Sequence, residues 1–238
     1  MWSGPRNIST AMMRAFGNRD DTEVSDEPFY AAYLAASGAR HPLRDEVLAS
    51  QPNEWSAVAR AMAGPAPGGS PIWYQKQMCH HMIDAFGLDW MHACTTAFLI
   101  RPPEQVLASY AAKRVEVTLS DIGVVRQNEI FDRVADRLGS APPVVDGADV
   151  LAEPAGALAL LCARLGIPFS EKMLAWPAGR RASDGAWAPA WYDAVERSTG
   201  FTAPARVARL EDLPDSLKPV AEAARPWYER MARHRLHT

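Results

Sequence analysis

The first twelve residues constrain this chain more than any other stretch. A Gly-Pro-Arg turn at residues 4–6 runs directly into Asn7, Ile8, Ser9 and Thr10 and then into an apolar helical pattern. A turn placed at a helix N-terminus directs successive backbone N–H groups outward, and the helix dipole adds positive potential there. The sequence therefore predicts an anion-gripping loop that leads into a helix over residues 7–18.

The same loop lacks the lysine of a Walker A motif. Such a motif ends in Gly-Lys-Ser/Thr, whereas no lysine stands before Ser9 or Thr10 and the nearest cation is Arg6. The loop is therefore suited to an anionic nucleotide but not to ordinary ATP or GTP chemistry. A small-molecule kinase stays open only as a lesser alternative.

Length and composition favour one domain over residues 1–238. The chain has 238 residues, of which 48% are hydrophobic, and this is enough for one sizeable core. A formal net charge of −3 provides no global basic field, so we expect no nucleic-acid partner and expect local arginines to hold any anionic ligand.

The three cysteines and the N-terminus bear on location. Cys79, Cys94 and Cys162 have no metal-type spacing, which favours a reducing compartment, no metal, and burial of Cys94 and Cys162. No signal peptide pattern and no membrane-length apolar run are present, so we expect a cytoplasmic protein without membrane insertion. Met1 stands almost directly before the loop, so the first strand is very short and the native start stays open.

Hydrophobic periodicity alternates between strands and helices. It predicts strands at residues 22–25, 72–76, 95–100 and 143–145, and helices at 7–18, 29–36, 54–62, 78–86, 102–115, 121–138, 154–165 and 217–235. This alternation predicts an α/β fold with a largely parallel sheet, in which ligands bind at the carboxyl ends of strands.

A second element follows the strand at residues 95–100. Arg101 leaves the sheet at the carboxyl end of that strand, and Ser109 lies about two turns up the following helix. A guanidinium and a hydroxyl so placed can share one phosphate. The competing interpretation is that Arg101 caps the helix or pairs with Glu104 while Ser109 faces solvent.

The two elements together resemble those of sulfotransferases that use 3′-phosphoadenosine 5′-phosphosulfate. The first loop of that family reads Pro-Lys/Arg-Ser-Gly-Ser/Thr-Thr, and its second element reads Arg-x-Pro-x-x-x-x-x-Ser-Tyr. Here residues 5–10 resemble the first, while Arg101, Pro103, Ser109 and Tyr110 have the spacing of the second. The resemblance implies a P-loop-type three-layer α/β/α fold, this nucleotide as co-substrate and no metal.

Further segments extend the resemblance over most of the chain. Residues 144–154, 158–168 and 179–187 are similar to family segments, and the motifs Gly-Pro-Arg-Asn-x-Ser-Thr and Asp-Glu-Pro-x-Tyr point to a bacterial branch. Two positions depart from the commonest pattern. Ile8 replaces a glycine, so the backbone is expected to bend differently there, and the cation is Arg6 rather than lysine.

The resemblance assigns the donor to residues of both elements. The 5′-phosphosulfate would be held by Pro5, Arg6, Asn7, Ile8, Ser9 and Thr10. Arg101 and Ser109 would hold the 3′-phosphate, and Arg6 would also act in catalysis as a cation. The loop at residues 179–187 would cover the nucleotide through Arg180, Arg181, Gly185 and Trp187. The competing interpretation of that loop is a solvated basic segment with one anchoring tryptophan.

Sulfuryl transfer needs a base for the acceptor proton, and two candidates stay open. A glutamate serves in some bacterial members, which favours Glu27 in Asp-Glu-Pro-Phe-Tyr. A Lys-x-His segment serves in many others, which favours His80 or His81. Each candidate also has a purely structural interpretation. Glu27 could simply be an acidic residue at the start of a helix, where negative charge is favoured. Of His80 and His81, one could be exposed to solvent and the other could cap a helix.

The sequence thus predicts an enzyme, a sulfotransferase that acts on the hydroxyl or amine of an unidentified small molecule. The non-enzymatic alternative is a protein of this fold that binds a nucleotide without turnover. The acceptor and the oligomeric state are open, because acceptor pockets come from variable loops and a fold does not fix a function.

Overall fold

The computed structural model describes residues 1–111, 117–203 and 206–237. The chain divides into two compact units, each built from separate stretches of sequence. The first unit comprises Met1, Thr10–Thr95 and Ser170–Phe201, and the second comprises Trp2–Ser9, Thr96–Phe169 and Thr202–Thr238. The prediction of a single domain over residues 1–238 stays a prediction.

Five strands form among the described residues: β1 (Trp2–Ser3), β2 (Thr22–Asp26), β3 (Ile72–Met78), β4 (Phe98–Ile100) and β5 (Val144–Asp146). In the first unit β2 pairs in parallel with β3, and the register sets Asp26 beside Lys76. In the second unit β4 pairs in parallel with both β1 and β5, and Leu99 stands beside Ser3 and Val145. Parallel pairing between strands that alternate with helices confirms the predicted α/β class.

The helices that follow these strands are mostly those that the apolar pattern predicts. The α-helices are α1 (Ser9–Gly17), α2 (Tyr30–Ser37), α3 (Arg44–Ser50), α4 (Trp55–Met62), α5 (Pro103–Ala111), α6 (Leu119–Ile122), α7 (Val124–Leu138), α8 (Gly147–Ala152), α9 (Pro154–Leu165), α10 (Ala188–Trp191), α11 (Asp193–Glu196) and α12 (Lys218–Ala232). Short 3₁₀ segments lie at Pro67–Gly69, Cys79–His81, Asp89–Ala93, Glu171–Leu174 and Leu210–Asp212.

Two helix predictions are corrected. The helix expected over residues 78–86 is absent, because β3 continues to Met78 and is followed by a 3₁₀ turn at Cys79–His81. The helix expected over residues 121–138 is divided at Gly123, whose φ of 67° ends α6 before α7 begins. The predicted end of the helix over residues 102–115 lies outside the described residues.

Each unit has its own apolar core. In the first unit the buried cluster comprises Tyr30, Ala31, Leu34, Val47, Trp187, Ala188 and Tyr192. In the second unit α12 packs against α5 and α7. The buried cluster there comprises Val106, Leu107, Tyr110, Val117, Ile122, Leu213, Leu217, Ala221 and Ala224.

All three cysteines are free thiols. Cys162 is buried as predicted, but Cys94 is only half-buried and its thiol lies 3.5 Å from the carbonyl oxygen of Met62. Cys79, which was not predicted to be buried, is fully buried. In the part of the chain that the structure describes, no helix is both long enough and apolar enough to cross a membrane.

Gly4, which connects β1 to the first loop, has no space for a side chain. A Cβ there would collide with the backbone carbonyl oxygen of Ile122. We expect Gly4→Ala to lower the free energy of unfolding by about 1–3 kcal/mol, because backbone must move to relieve the overlap. Thermal unfolding measures this effect.

Gly69→Ala is the matched control for Gly4→Ala. Gly69 has a φ of 72°, but a Cβ there meets no described atom within 4 Å. It therefore carries only the left-handed backbone penalty of about 1–2 kcal/mol. If Gly4→Ala unfolds at or above the midpoint of Gly69→Ala, the packing at Gly4 does not constrain the loop.

Candidate functional site

In the loop before α1, two residues with a positive φ flank one residue that does not have a positive φ. Arg6 has a φ of 62° and Ile8 a φ of 55°, while Asn7 between them does not have a positive φ. Alternation of this kind turns successive N–H groups toward one concave side, which is how backbone amides bind anions. Pro5, Asn7 and Ser9 are buried, and Ser9 and Thr10 are the first residues of α1. The structure thus places the loop at a helix N-terminus, as the sequence predicts.

Ile8 adopts a conformation that glycine takes without strain. A β-branched residue with a φ of 55° is a backbone outlier and costs about 1–3 kcal/mol. The Ile8 side chain lies against Gly147, where an added Cβ would approach Ile8 Cγ1 to 3.3 Å. The missing side chain at Gly147 therefore makes room for Ile8, and the left-handed turn persists despite the loss of glycine at position 8.

Three of the predicted binding residues come together in the second unit. Arg6 donates from Nε to the Ser109 hydroxyl at 2.9 Å. Arg101 donates from Nη1 to the carbonyl oxygen of Arg6 at 2.8 Å and from Nε to Gln105 Oε1 at 3.2 Å. Glu104 pairs with Arg225, so the alternative pairing of Arg101 with Glu104 is wrong. The second element is thus joined directly to the first loop.

Arg101 forms no ion pair with a carboxylate in the part of the chain that the structure describes, although Asp146 acts on it electrostatically. Burial lowers the pKa of Arg101, nearby Arg6 lowers it further, and Asp146 opposes the change. Asp146 itself accepts hydrogen bonds from Tyr228 at 2.6 Å and from the Ala148 N–H at 2.8 Å. Among residues 1–111, 117–203 and 206–237, no ion pair joins Arg101 to a carboxylate. An anion is the partner that this arrangement favours.

Asn7 adds an unsatisfied acceptor to the same unit. Its Nδ2 donates to the carbonyl oxygen of Leu99 at 3.3 Å, while its buried Oδ1 has no protein partner among the described residues. Asn7 is 4% exposed and lines a small pocket together with Arg101, Gln127 and Tyr228. A buried acceptor without a donor costs about 1–3 kcal/mol, and only a group that donates a hydrogen bond, such as a hydroxyl, would satisfy this oxygen.

The first unit contains a second cluster, built around Lys76. Lys76 is 1% exposed, and its Nζ lies 2.8 Å from Asp26 Oδ1, 2.6 Å from Glu27 Oε1 and 2.6 Å from the Tyr192 hydroxyl. An ammonium has three donors, and all three are used here. Burial acts to lower the pKa of Lys76, but Asp26 and Glu27 outweigh it and raise the pKa well above its ordinary value. Lys76 is therefore a buried cation held by two carboxylates.

Glu27 follows β2 in a left-handed backbone conformation, with a φ of 41°. Its N–H donates to the carbonyl oxygen of Lys76 at 3.0 Å, and its own carbonyl accepts from Tyr30 N–H at 3.0 Å and from Gln51 Nε2 at 3.2 Å. Strained residues of this kind cluster at functional sites. Burial raises the pKa of the Glu27 carboxyl, with Lys76 opposing the rise and Asp26 adding to it.

The two histidines lie in different environments. His81 is 1% exposed, stacks on Tyr30 and Tyr33 with ring centroids 4.5 and 5.0 Å away, and has Nε2 3.8 Å from Glu27 Oε2. Burial lowers the pKa of His81 well below its ordinary value, and His80 contributes, so His81 is neutral at neutral pH. His80 is half-buried, with its ring 4.3 Å from that of His81.

The loop at residues 179–187 is part of the first unit, and hydrogen bonds to two aspartates hold it there. Asp184 accepts from Arg14 at 2.5 and 2.7 Å, and Asp26 accepts from the Gly185 N–H at 3.1 Å. Trp187 is buried in the first core and donates from Nε1 to the Tyr192 hydroxyl at 3.1 Å.

The two arginines of this loop are differently placed. Arg180 is exposed and lies 3.8 Å from Glu196, whereas Arg181 is partly exposed and donates to the carbonyl oxygen of Pro177. The geometry agrees with the anchoring-tryptophan alternative for Trp187. Nucleotide contacts by Arg180, Arg181, Gly185 and Trp187 stay predictions.

Sequence reasoning missed most of the first-unit cluster. It singled out Glu27 but not Asp26, Lys76 or Tyr192. One signal was available for Lys76, because Tyr74, Lys76 and Met78 alternate on one face of β3 and all three are buried. A lysine on an apolar strand face requires anionic partners. Tyr192 had no comparable signal, since it is 116 residues from Lys76 in the chain.

Comparison with known families places the chain in a class of transferases. The model of the sulfotransferase domain family matches residues 1–235. The chain belongs to that family, and the resemblance stated from its motifs is confirmed.

Two curated relatives come from Arabidopsis thaliana. "Branched-chain-amino-acid aminotransferase-like protein 1" is 33% identical over 237 residues, which is 100% of this chain and 42% of the relative. "Branched-chain-amino-acid aminotransferase-like protein 2" is 33% identical over 203 residues, which is 85% of this chain and 36% of the relative. The chain thus spans less than half the length of these two relatives.

Two solved structures share the fold. The sulfotransferase domain of the Synechococcus PCC 7002 olefin synthase has a TM-score of 0.50 at 15% identity, with 97% of this chain and 92% of that chain covered. The sulfotransferase domain from the curacin biosynthetic pathway has a TM-score of 0.53 at 13% identity, with 93% and 95% covered. At these identities the likeness concerns the fold alone, and it confirms the predicted α/β architecture.

Proposed function

We propose that this protein transfers a sulfuryl group from 3′-phosphoadenosine 5′-phosphosulfate to the hydroxyl or amine of a small-molecule acceptor. The observation that carries the proposal is the cluster of Arg6, Arg101 and Ser109. It joins two arginines at the end of β4 and at the loop before α1, and no carboxylate pairs with Arg101 in the described structure. Family membership supports the transferase class, and the cluster supports a donor with more than one anionic group.

The donor fits the second unit on one further ground. The left-handed turns at Arg6 and Ile8 turn backbone amides toward one side, where they can donate to an anionic group. We assign the 5′-phosphosulfate to residues 5–10 and the 3′-phosphate to Arg101 and Ser109. When bound, the donor supplies an activated sulfuryl group.

In the proposed step Glu27 takes the acceptor proton on Oε2, the oxygen that Lys76 does not bind. As that proton leaves, the acceptor atom forms its bond to sulfur and the bond from sulfur to the bridging phosphate oxygen breaks, so adenosine 3′,5′-bisphosphate is the second product. Arg6 offsets the negative charge that develops on the leaving phosphate. Positioning and electrostatics carry most of such a transfer, and no metal is required.

Glu27 is better suited than His81 to the role of base. Glu27 retains 9% exposure and has a pKa raised above its ordinary value by burial, whereas His81 is 1% exposed and has a pKa lowered well below its ordinary value by burial. A base is most effective when its pKa approaches the working pH. His80 is half-buried and stays the alternative base.

The names of the plant relatives suggest a likeness to aminotransferases, but the buried lysine among the described residues does not favour that chemistry. Lys76 is the fully buried lysine of the first unit, and its three donors are occupied by Asp26, Glu27 and Tyr192. A lysine that forms a Schiff base must be free to lose its proton. Lys76 is therefore unsuited to hold a cofactor as a Schiff base.

Calorimetric titration with adenosine 3′,5′-bisphosphate, with ATP as control, tests the proposal. We expect the bisphosphate to bind at least about tenfold more tightly, because two separate anion sites are filled at once. Equal affinity, or consumption of ATP that depends on Mg²⁺, would favour a kinase. Selective binding without transfer to any member of a broad acceptor panel would favour the non-catalytic alternative.

A further inference from the structure

We propose that Lys76 is a positioning residue, which fixes one oxygen of Glu27 within the first unit and keeps the other as the proton acceptor. The inference deepens the proposed function, on which its catalytic part rests. Lys76 is 1% exposed, so it is not placed to contact a donor or an acceptor itself. Any effect that it has on transfer must pass through the groups that it binds, and Glu27 is the candidate base among them.

The hydrogen bonds of the cluster give its two oxygens different roles. Lys76 Nζ binds Glu27 Oε1 at 2.6 Å, while Glu27 Oε2 lies 3.8 Å from His81 Nε2, beyond hydrogen-bond distance. Lys76 therefore fixes one oxygen, whereas neither Lys76 nor His81 is within hydrogen-bond distance of the other. The left-handed backbone of Glu27 is fixed as well, because its N–H binds the carbonyl oxygen of the same lysine residue.

Asp26 and Tyr192 hold Lys76 in place. Asp26 Oδ1 binds Lys76 Nζ at 2.8 Å, and the Tyr192 hydroxyl accepts from Lys76 and lies 2.8 Å from Asp26 Oδ2. Asp26 and Tyr192 are held in turn by the loop at residues 179–187: the Gly185 N–H donates to Asp26, and the Trp187 indole N–H donates to the Tyr192 hydroxyl. Each of these hydrogen bonds restricts the position of Lys76 and therefore that of Glu27.

Four titratable groups approach Glu27 from separate elements. Lys76 is in β3, Asp26 ends β2, Tyr192 follows α10, and His81 is in the 3₁₀ turn after β3. His80 and His41 act on His81 in turn, and both help to keep it neutral. Tyr192 stays protonated, because burial and then Asp26 raise its pKa well above its ordinary value. Of these four groups, Lys76 is therefore the cation that stabilises the carboxylate form of Glu27, whereas the negative charge of Asp26 destabilises it.

A merely structural role for Lys76 makes a different prediction. If the lysine only filled space, an apolar side chain of similar length would leave the ionisation of Glu27 unchanged. If it positions Glu27, its loss leaves Asp26 and Glu27 as neighbouring buried carboxylates, and the pKa of Glu27 rises by about 1–3 units.

The test is a pH titration of protein labelled with ¹³C at glutamate Cδ, with the Glu27 signal assigned by its loss in Glu27→Gln. In Lys76→Met we expect the midpoint of Glu27 to rise by about 1–3 units relative to the wild type. A midpoint within about 0.3 units of the wild type would overturn the proposal. This readout needs neither donor nor acceptor.

A second pair of variants serves if Lys76→Met does not fold. Asp26→Asn and the double variant Asp26→Asn, Lys76→Met both avoid two adjacent unpaired carboxylates. In Asp26→Asn the titration midpoint of Glu27 should lie below that of the wild type, because the repulsion from Asp26 is removed. In the double variant the midpoint should lie about 1–3 units above that of Asp26→Asn, because the lysine is also removed. Equal midpoints in the two variants would overturn the proposal.

The acid limb of sulfuryl transfer separates this inference from the proposed function. When an acceptor is turned over, the acid limb of kcat/KM should move to higher pH in Lys76→Met by the shift that the ¹³C signal gives. A shifted Glu27 signal in a protein that transfers nothing would support the positioning role and contradict the proposed function. If the Glu27 signal does not shift and the enzyme transfers the sulfuryl group, the proposed function is supported and the positioning role of Lys76 is contradicted.

Discussion

Replacement of Arg101 by alanine is expected to weaken the binding of adenosine 3′,5′-bisphosphate by about 30- to 1000-fold. The variant removes a guanidinium from a partly buried site, where each lost charge-assisted contact leaves an anion less well compensated; a loss of about 2–4 kcal/mol corresponds to that range. Isothermal calorimetry measures the affinity. Thermal unfolding of the free protein should change little, because the partners of Arg101 among the described residues are two neutral oxygens.

Two further variants make this result specific. Arg101→Lys keeps the charge but loses the fork, so it should recover only part of the affinity. Arg126→Ala removes another arginine of the second unit, one that pairs with Glu129 on α7, and should leave the affinity within about twofold. Unchanged affinity in Arg101→Ala would remove Arg101 from the nucleotide site.

Glu27→Gln is expected to lower kcat by about 10²- to 10⁴-fold, which is the usual contribution of a general base. The amide keeps the shape of the side chain and an oxygen for Lys76 but cannot take a proton at neutral pH. Affinity for adenosine 3′,5′-bisphosphate should stay within about twofold of the wild type. The measurement is the rate of product formation with any acceptor that a panel identifies.

The histidines provide the matched comparison. His81→Asn and His80→Asn should lower kcat by less than about tenfold if Glu27 is the base. A loss of about 10²-fold or more in His80→Asn, with activity retained in Glu27→Gln, would reverse the assignment. The size of the loss in each variant therefore distinguishes the two sequence hypotheses.

The pH profile has a defined sign. The active form of Glu27 is the carboxylate, and burial raises the pKa of that carboxyl above its ordinary value. Transfer should therefore fall as pH decreases through this raised pKa, at a higher pH than an exposed glutamate would give. Glu27→Gln should abolish that limb in its residual activity.

The sequence by itself determined the family, the α/β class and the loop before α1. Each depends on residues close together in the chain. The turn at residues 4–6 leads directly into the helix, and Arg101 and Ser109 are eight positions apart on a strand end and the following helix. Local spacing of this kind fixes which backbone and side-chain groups lie close together, and so the structure has the loop and the cluster of Arg6, Arg101 and Ser109 where the motifs predict them.

The tertiary structure alone decided the composition of the cluster around Glu27 and the conformation of Ile8. Lys76 and Tyr192 are 49 and 165 positions from Glu27 in the chain, and their contacts depend on strand register and on where a late segment returns. Ile8 keeps its left-handed turn because Gly147 leaves it room, a contact that no local pattern records. Long-range packing outweighs local preference at such positions, because burial and charge pairing stabilise conformations that isolated residues avoid.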